Sequence, residues 1–289
     1  MTADRFSPGL YLAASPIGHL GDASLRLIEA LCQADLVAAE DTRRAIKLLN
    51  RFSAKKPLIS YREQNHDKAW PKIEKALAAG GRAVLLTDAG SPGVADPGAK
   101  LVQAARAAGY PVYPLPGPSA VVTALTASGF WAERFIFGGF LPERSAGRVA
   151  LAQELGSLGL CLVFFEVPHR LATSLADLAR VLGPRPAFLA REMTKAHEEY
   201  LWGTLEELAA DVAKNPRKGE ITLVVAPGEK EKPIEPNWDL AAEKAAADPR
   251  PLGVVAAELA LELGWPKKSV YGELLKRRVR PPGKVKKSP

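Results

Sequence analysis

The chain of 289 residues is poor in cysteine: Cys32 and Cys161 are the whole complement, and no CxxC pair occurs. Both lie among apolar residues, which points to core packing and away from a disulfide framework or a zinc site. No metal is expected. Long apolar runs are missing too. Ala83 to Leu86 and Leu160 to Phe165 fall far short of the roughly 20 residues that span a bilayer. Met1 to Gly9 lacks the layout of a signal peptide, so a soluble, cytosolic protein with no membrane partner is expected. Neither GxGxxG after the first apolar run nor GxxxxGK[ST] occurs, which disfavours a dinucleotide dehydrogenase and a P-loop enzyme.

What is present is an ordinary globular composition, 47% hydrophobic and 25% charged, with an uneven distribution of charge. From Trp265 to Pro289 nine basic residues face the single acid Glu273, a net +8. With +7 for the whole chain, the other 264 residues sum to −1. A neutral body with a basic end is the distribution expected where one segment meets a polyanion. A solvated, solubilising tail would have the same composition.

Apolar runs alternate with helix-period stretches through the first half: strand Leu10 to Ala14, helix Ala23 to Gln33, strand Leu36 to Ala39, helix Arg43 to Phe52, strand Pro57 to Ser60, helix His66 to Ala79, strand Ala83 to Thr87, helix Gly98 to Ala108 and strand Pro111 to Leu115. This alternation predicts βαβ crossovers and a mainly parallel sheet, hence an α/β fold. A second cycle starts near Phe135. Leu160 to Phe165 and Ala187 to Arg191 read as buried strands flanking a helix from His169 to Leu182, with Glu198 to Thr204 and Ile221 to Ala226 as antiparallel company. The expected organisation is an α/β domain over 1–130, a second over 131–228, a linker over 229–250, and a basic helix-turn-helix-like segment over 251–289, with helices at Pro251 to Leu263 and Lys267 to Arg278.

Three loops after first-domain strands are rich in Gly and Pro: SPIGHLGD (Ser15 to Asp22), TDAGSPGVADPG (Thr87 to Gly98) and PLPGPSAVVTALTASG (Pro114 to Gly129). In an open α/β sheet the carboxyl ends of the strands form the ligand-binding edge, so these loops outline one cleft. Glycine lets backbone approach a ligand closely, and proline reduces the ordering cost.

These loops, with AEDTRR (Ala39 to Arg44), SYREQN (Ser60 to Asn65), LPGPSA (Leu115 to Ala120), FGGFLP (Phe137 to Pro142), FFEVPHR (Phe164 to Arg170), REMTKAHEE (Arg191 to Glu199) and KGEITLVV (Lys218 to Val225), resemble in order and spacing the ribosomal RNA small-subunit methyltransferase I family, a branch of the tetrapyrrole methylases. The likeness runs from about Leu10 to Arg278. It implies two α/β domains with the active site in the cleft between them, a homodimer, S-adenosylmethionine as cofactor, and 2′-O-methylation of a cytidine in 16S ribosomal RNA, free or within the 30S subunit. Two departures stand out. The family's first loop usually reads TPIGNLGD, whereas Ser15 and His19 occur here; the superfamily's Gly-Asp-Pro is Gly90-Ser91-Pro92.

By that resemblance Gly90, Ser91, Val94, Ala95, Ser119 and Ala120 contact the cofactor, and Glu166, Val167 and Pro168 close on it from the second domain. Asp88 either holds the cofactor's ribose or amino group, or closes an Asx-turn. Pro16, His19, Asp22, Glu40, Asp41 and Arg43 fall on the substrate side, although Asp41 also suits a helix cap. Phe137 to Arg148 reads as an RNA-facing flap with Arg144 and Arg148, whose phenylalanines either stack a base or fill the domain interface. Lys267, Lys268 and Arg277 are the expected phosphate contacts of the basic end.

A ribose hydroxyl is poorly acidic, so a lysine with its pKa lowered by burial, or a carboxylate, has to take its proton. Lys195 is the expected base, with Glu192 orienting it and Arg191 or Arg43 on phosphate. A salt-bridged surface turn would present the same residues. The rival readings are a methylase of the same fold acting on a tetrapyrrole, and a non-catalytic ribosome-assembly factor.

Overall fold

The structure is a computed structural model that describes residues 6–228 and 236–278. Its contacts separate two compact units, Met1–Gly228 and Glu229–Pro289. The first unit begins with β1 (Gly9–Ala13), β2 (Leu36–Ala39), β3 (Leu58–Ser60), β4 (Arg82–Leu86) and β5 (Val112–Leu115), which form a sheet in the order β3-β2-β4-β1-β5. All of its pairings are parallel. The connections between them run through α1 (Leu25–Gln33), α2 (Thr42–Arg51), α3 (His66–Ala78) and α4 (Ala99–Ala107). The inner strands β2 and β4 are buried along almost their whole length, as an unbroken apolar run covered on both faces requires.

The second sheet holds β6 (Phe135–Phe140), β7 (Cys161–Glu166), β8 (Pro186–Arg191), β9 (Glu199–Thr204) and β10 (Ile221–Val225), in the order β6-β7-β10-β8-β9. Only β6 and β7 pair in parallel; β10, last in sequence, runs antiparallel between β7 and β8. Ile221 therefore sits opposite both Glu166 and Arg191. The residues just before β10 lie beside the ends of two other strands. One face of this sheet is covered by α6 (Ser145–Gly156), α7 (Leu171–Leu182) and α8 (Leu205–Lys214). The other packs on α5 (Ala120–Ser128) through Cys161, Val163, Phe188, Ala190 and Val224.

Three expectations are corrected. Residues 120–128, expected as part of a Gly-Pro loop, are the helix α5; it buries Val121, Ala124 and Leu125, so packing rather than amphipathic period specifies it. The expected flap starts and ends in regular elements: Phe137 lies in β6 against Phe165, with ring centroids 4.9 Å apart. Arg148 faces inward at 5% exposure, paired with Asp177 at 2.8 Å and donating to the carbonyls of Pro142 and Glu143, so it is not available to RNA. Third, the stretch expected as linker contains α9 (Trp238–Ala247), which joins α10 (Leu252–Leu263) and α11 (Lys267–Arg278) around Ala241, Ala245, Val255, Ala256, Leu259, Val270 and Leu274. Among the described residues the second unit is thus a three-helix cluster rather than a helix pair.

The loop after β1 and the turn after β8 meet at Gly18. A Cβ there would stand 2.5 Å from Thr194 Oγ1, 2.6 Å from Lys195 Cγ and 2.8 Å from the Met193 carbonyl. The next residue, His19, donates its backbone N–H to Thr194 Oγ1 at 3.0 Å. The turn itself is costly, because Glu192 (φ 49°) and Thr194 (φ 65°) both occupy the left-handed region without being glycine. Gly18→Ala is expected to lower the unfolding free energy by about 1–3 kcal/mol, as overpacking does, measured by the shift of the chemical denaturation midpoint.

Candidate functional site

The loops that follow β1 and β4 are fastened to each other. Ser15 and Gly90 exchange backbone hydrogen bonds of 2.9 and 3.0 Å, and Ser15 Oγ donates to the Thr87 carbonyl at 3.0 Å. Gly90 is in the left-handed region (φ 73°), as is Ala95 (φ 59°), so this loop keeps a shape that few side chains favour. The loop after β2 joins them: Asp41 caps α2, and its backbone N–H donates to Asp88 Oδ1 at 3.1 Å. Asp88 thus serves a neighbouring loop rather than closing an Asx-turn on its own.

Two cavities open on this edge. The larger, about 420 Å³, lies between the loop after β4 (Gly90, Ser91, Val94, Ala95, Asp96), the start of α5 (Ser119, Ala120, Val121), and the second sheet (Phe140, Phe165, Glu166, Val167, Pro168). The smaller, about 320 Å³, is walled by Pro16, Ile17, Leu20, Asp41, Ala45, Lys47, Leu48, Leu86, Thr87 and Lys195. Ile17, Arg44, Asp88, Ala89 and Glu220 line both, so the two spaces share a wall.

The electrostatics of the larger cavity are acidic. Burial, then the charges of Glu40, Asp88 and Glu220, push the Asp96 carboxyl up to about 6. The Glu40 Oε2 atom is buried without a hydrogen-bond partner. At the shared wall, Arg44 Nε approaches Asp88 Oδ2 at 3.5 Å, and Lys195 Nζ lies 2.9 Å from both Glu192 Oε1 and Glu220 Oε2. Burial opposes the charge on Lys195, but its hydrogen bonds to Glu192 and Glu220 outweigh that and raise its pKa above the ordinary lysine value. The expectation of a lysine depressed toward neutrality is therefore corrected: Lys195 is held as an ammonium. Glu192 is the complement, its burial outweighed by the Glu220 backbone N–H and by Lys195, so that its pKa is lowered.

Of the residues singled out in the sequence, the larger cavity brings together Asp88, Gly90, Ser91, Val94, Ala95, Ser119, Ala120, Glu166, Val167 and Pro168. Glu166 is there as a wall only. Its carboxylate, 0% exposed, is saturated by the Val167 N–H, Arg170 and Ser174. Glu40, expected on the substrate side, lines the larger cavity instead. Pro16, Asp41 and Lys195 line the smaller one. His19 is exposed; its Nδ1 accepts the Gly21 N–H at 3.0 Å, the capping role an asparagine would also fill. Asp22 and Arg144 line neither cavity. Arg43 folds back on Asp41 at 2.6 Å, and Arg191 pairs with Glu199 at 2.7 Å and with the Lys218 carbonyl; neither lines the cavities. Arg44, Lys47, Asp96 and Glu220, which the sequence did not single out, are the additional charged residues of the site.

In the second unit Lys267 and Lys268 are exposed at the start of α11. Arg277 pairs with Asp239 at 3.2 Å and with Glu273, which also holds Lys276 at 2.6 Å. Arg280, Lys284, Lys286 and Lys287 lie outside the described residues. No helix among the described residues is long and apolar enough to cross a membrane.

Comparison with known proteins agrees with this layout. The family Tetrapyrrole (Corrin/Porphyrin) Methylases matches residues 9–209. A protein of Mesorhizobium japonicum named "Ribosomal RNA small subunit methyltransferase I" is 42% identical over 94% of this chain and 93% of its own length. One of the same name from Thermotoga maritima is 41% identical over 217 residues, which are 75% of this chain and 97% of that relative. Among solved structures, uroporphyrin-III-C-methyltransferase from Thermus thermophilus superposes with a TM-score of 0.55 at 21% identity, covering 76% of this chain and 94% of its own. Diphthine synthase superposes with a TM-score of 0.59 at 16% identity, over 75% and 89%. These two likenesses concern the fold, whereas the matches at about 40% identity reach the family: the chain is a methyltransferase and belongs to the tetrapyrrole methylases, in the branch of the small-subunit ribosomal RNA methyltransferases I.

Proposed function

We propose that this chain transfers the methyl group of S-adenosylmethionine to the ribose 2′-hydroxyl of a cytidine in 16S ribosomal RNA. The observation that carries the reading is the pair of cavities with a common wall, since methyl transfer needs donor and acceptor held edge to edge. The names of the relatives supply the substrate class.

The larger cavity suits the donor. Adenosylmethionine is a sulfonium cation with an amino group, and Glu40, Asp88, Asp96 and Glu220 surround that space with carboxylates, one of them with an orphaned buried oxygen. The first N–H groups of α5, after Ser119, suit its carboxylate. Backbone of Gly90, Ser91, Val94 and Ala95 would border the adenosine, with Phe140, Phe165, Val167 and Pro168 as apolar cover. When bound, the sulfonium supplies an already activated methyl carbon, so the protein's own task is alignment and removal of one proton.

The smaller cavity takes the acceptor nucleotide in this reading. Arg44, Lys47 and the third N–H of the Lys195 ammonium are the donors available there for RNA oxygens. Lys267 and Lys268 add cationic charge in the second unit. That unit is an addition to the core reaction: the Thermotoga maritima relative, 97% covered by 217 residues, is about as long as the first unit alone. A homodimer belongs to the same reading, and the exposed Trp131, Phe135 and Trp202 are the apolar surface on which to look for its interface.

Methyl-labelled adenosylmethionine incubated in turn with undermethylated small subunits, free RNA and a tetrapyrrole precursor tests the reading. Label is expected in ribosomal RNA as a 2′-O-methylated cytidine; label only in the tetrapyrrole would overturn it. For the donor site, Gly90→Val places a β-branched side chain at φ 73°. A strain of about 1–2 kcal/mol pushes the loop out of shape, and calorimetry is expected to show adenosylmethionine binding weakened about tenfold or more. Unchanged affinity would move the site elsewhere. For the basic end, cutting the chain after Gly228 should leave the first unit folded and cofactor-binding, with weaker RNA binding. For every phosphate that the truncated protein no longer neutralises, the slope of log affinity against log salt falls by about 0.7–0.9. Equal slopes for the two proteins in a filter-binding titration would make the second unit irrelevant to RNA affinity.

A further inference from the structure

The donor and acceptor atoms have to meet at the wall that the two cavities share. The titratable residues of that wall are Arg44, Asp88 and Glu220. Arg44 is a hydrogen-bond donor only. Asp88 is engaged on one oxygen by the Asp41 N–H and on the other by Arg44. Glu220 differs: its side chain is 59% exposed, and among the described residues its carboxylate meets only Lys195 Nζ, at 2.9 Å.

The backbone holds Glu220 firmly although its carboxylate is open. Its N–H donates to Glu192 Oε1 at 2.8 Å, and its carbonyl accepts the Glu192 N–H at 2.9 Å. Gly219 before it has φ 102°, and a Cβ there would stand 2.5 Å from Glu192 Cγ. Lys195, shared between Glu192 and Glu220, is an ammonium and has no lone pair to offer.

We infer that Glu220 is the catalytic proton acceptor of the methyl transfer, with Lys195 as the cation fixed beside it; this rests on the function proposed above. The acceptor O–H bond breaks and its proton passes to the Glu220 carboxylate. The oxygen's electron pair forms the new bond to the methyl carbon, and the pair of the broken carbon–sulfur bond stays on the donor sulfur as a neutral thioether. Lys195 neither gains nor loses a proton. Its spare N–H stabilises the acceptor oxygen or a neighbouring phosphate while charge moves.

Turnover of the full chain with saturating RNA and cofactor is compared for the parent, Glu220→Gln and Glu192→Gln, alongside calorimetry of adenosylmethionine and thermal unfolding. Glu220→Gln is expected to lower kcat by roughly 10²-fold or more, as loss of a general base does, a larger factor than the accompanying change in the KM for RNA or in cofactor affinity. Glu192→Gln removes a carboxylate from the same ammonium but not the acceptor, and is expected to cost about tenfold or less in kcat. Parent-like kcat in Glu220→Gln would overturn the assignment. Equal losses in the two variants, with Lys195 the common element, would also overturn it, because Glu220 would then serve only to position that lysine. A parent enzyme that forms no 2′-O-methyl nucleotide would instead remove the proposed function on which the inference stands.

Discussion

The fold turns on where α5 is buried. Six of its nine residues are Ala, Val or Leu, and Val121, Ala124 and Leu125 have to be covered by something other than their own sheet. The face of the second sheet formed by Val163, Phe188, Ala190 and Val224 supplies that cover, with Ile17 and Met193 at the margin. Burial of this kind is worth about 25 cal/mol per Å² of apolar surface, and it is non-directional. Backbone bonds and ion pairs at the rim therefore set the alignment: the Ser15–Gly90 exchange, the His19–Thr194 bond and the Lys195 bridges. The start of the same helix borders the larger cavity, so the packing that joins the two sheets also shapes the candidate site.

Charge is arranged with equal economy. Carboxylates gather round the larger cavity, and cations stand on its border with the smaller one. Asp96 feels this crowding most directly. Glu166 shows that acidity near a site is not by itself function. It is the most buried carboxylate of the group, yet Arg170, Ser174 and the Val167 N–H consume its oxygens. Glu40 and Glu220, with unspent acceptors, are the chemically available ones.

The sequence made the first sheet legible because each βα unit is local, with strand, cap and helix following one another within a few tens of residues. Glycine-rich loops after β1 and β4 could be assigned to one edge for the same reason, and the family resemblance added the second-domain wall. What could not be read is non-local. The position of Glu220 follows from β10 entering between β7 and β8, a pairing that no short window of sequence encodes. The state of Lys195 depends on two carboxylates, one three residues before it and one 25 residues after it, and only the first was visible as a neighbour. Arg148 looked like a surface cation because its partner Asp177 stands a helix away. α5 was hidden in a Gly-Pro loop because an apolar residue, Val122, occupies its exposed side, so no clean polar stripe betrays it.

The shared wall also changes what an effective ligand for this protein would look like. Ile17, Arg44, Asp88, Ala89 and Glu220 each line both spaces. An adenosine-like head in one space and a nucleoside in the other could be joined by a linker of a few atoms passing beside Glu220. Binding of the second half then becomes intramolecular, with an effective concentration in the millimolar range for a short flexible tether. Stiffening that tether would reduce the entropy lost on binding still further. Such a two-headed compound would gain from the junction itself, a feature that a pocket for adenosylmethionine alone does not possess.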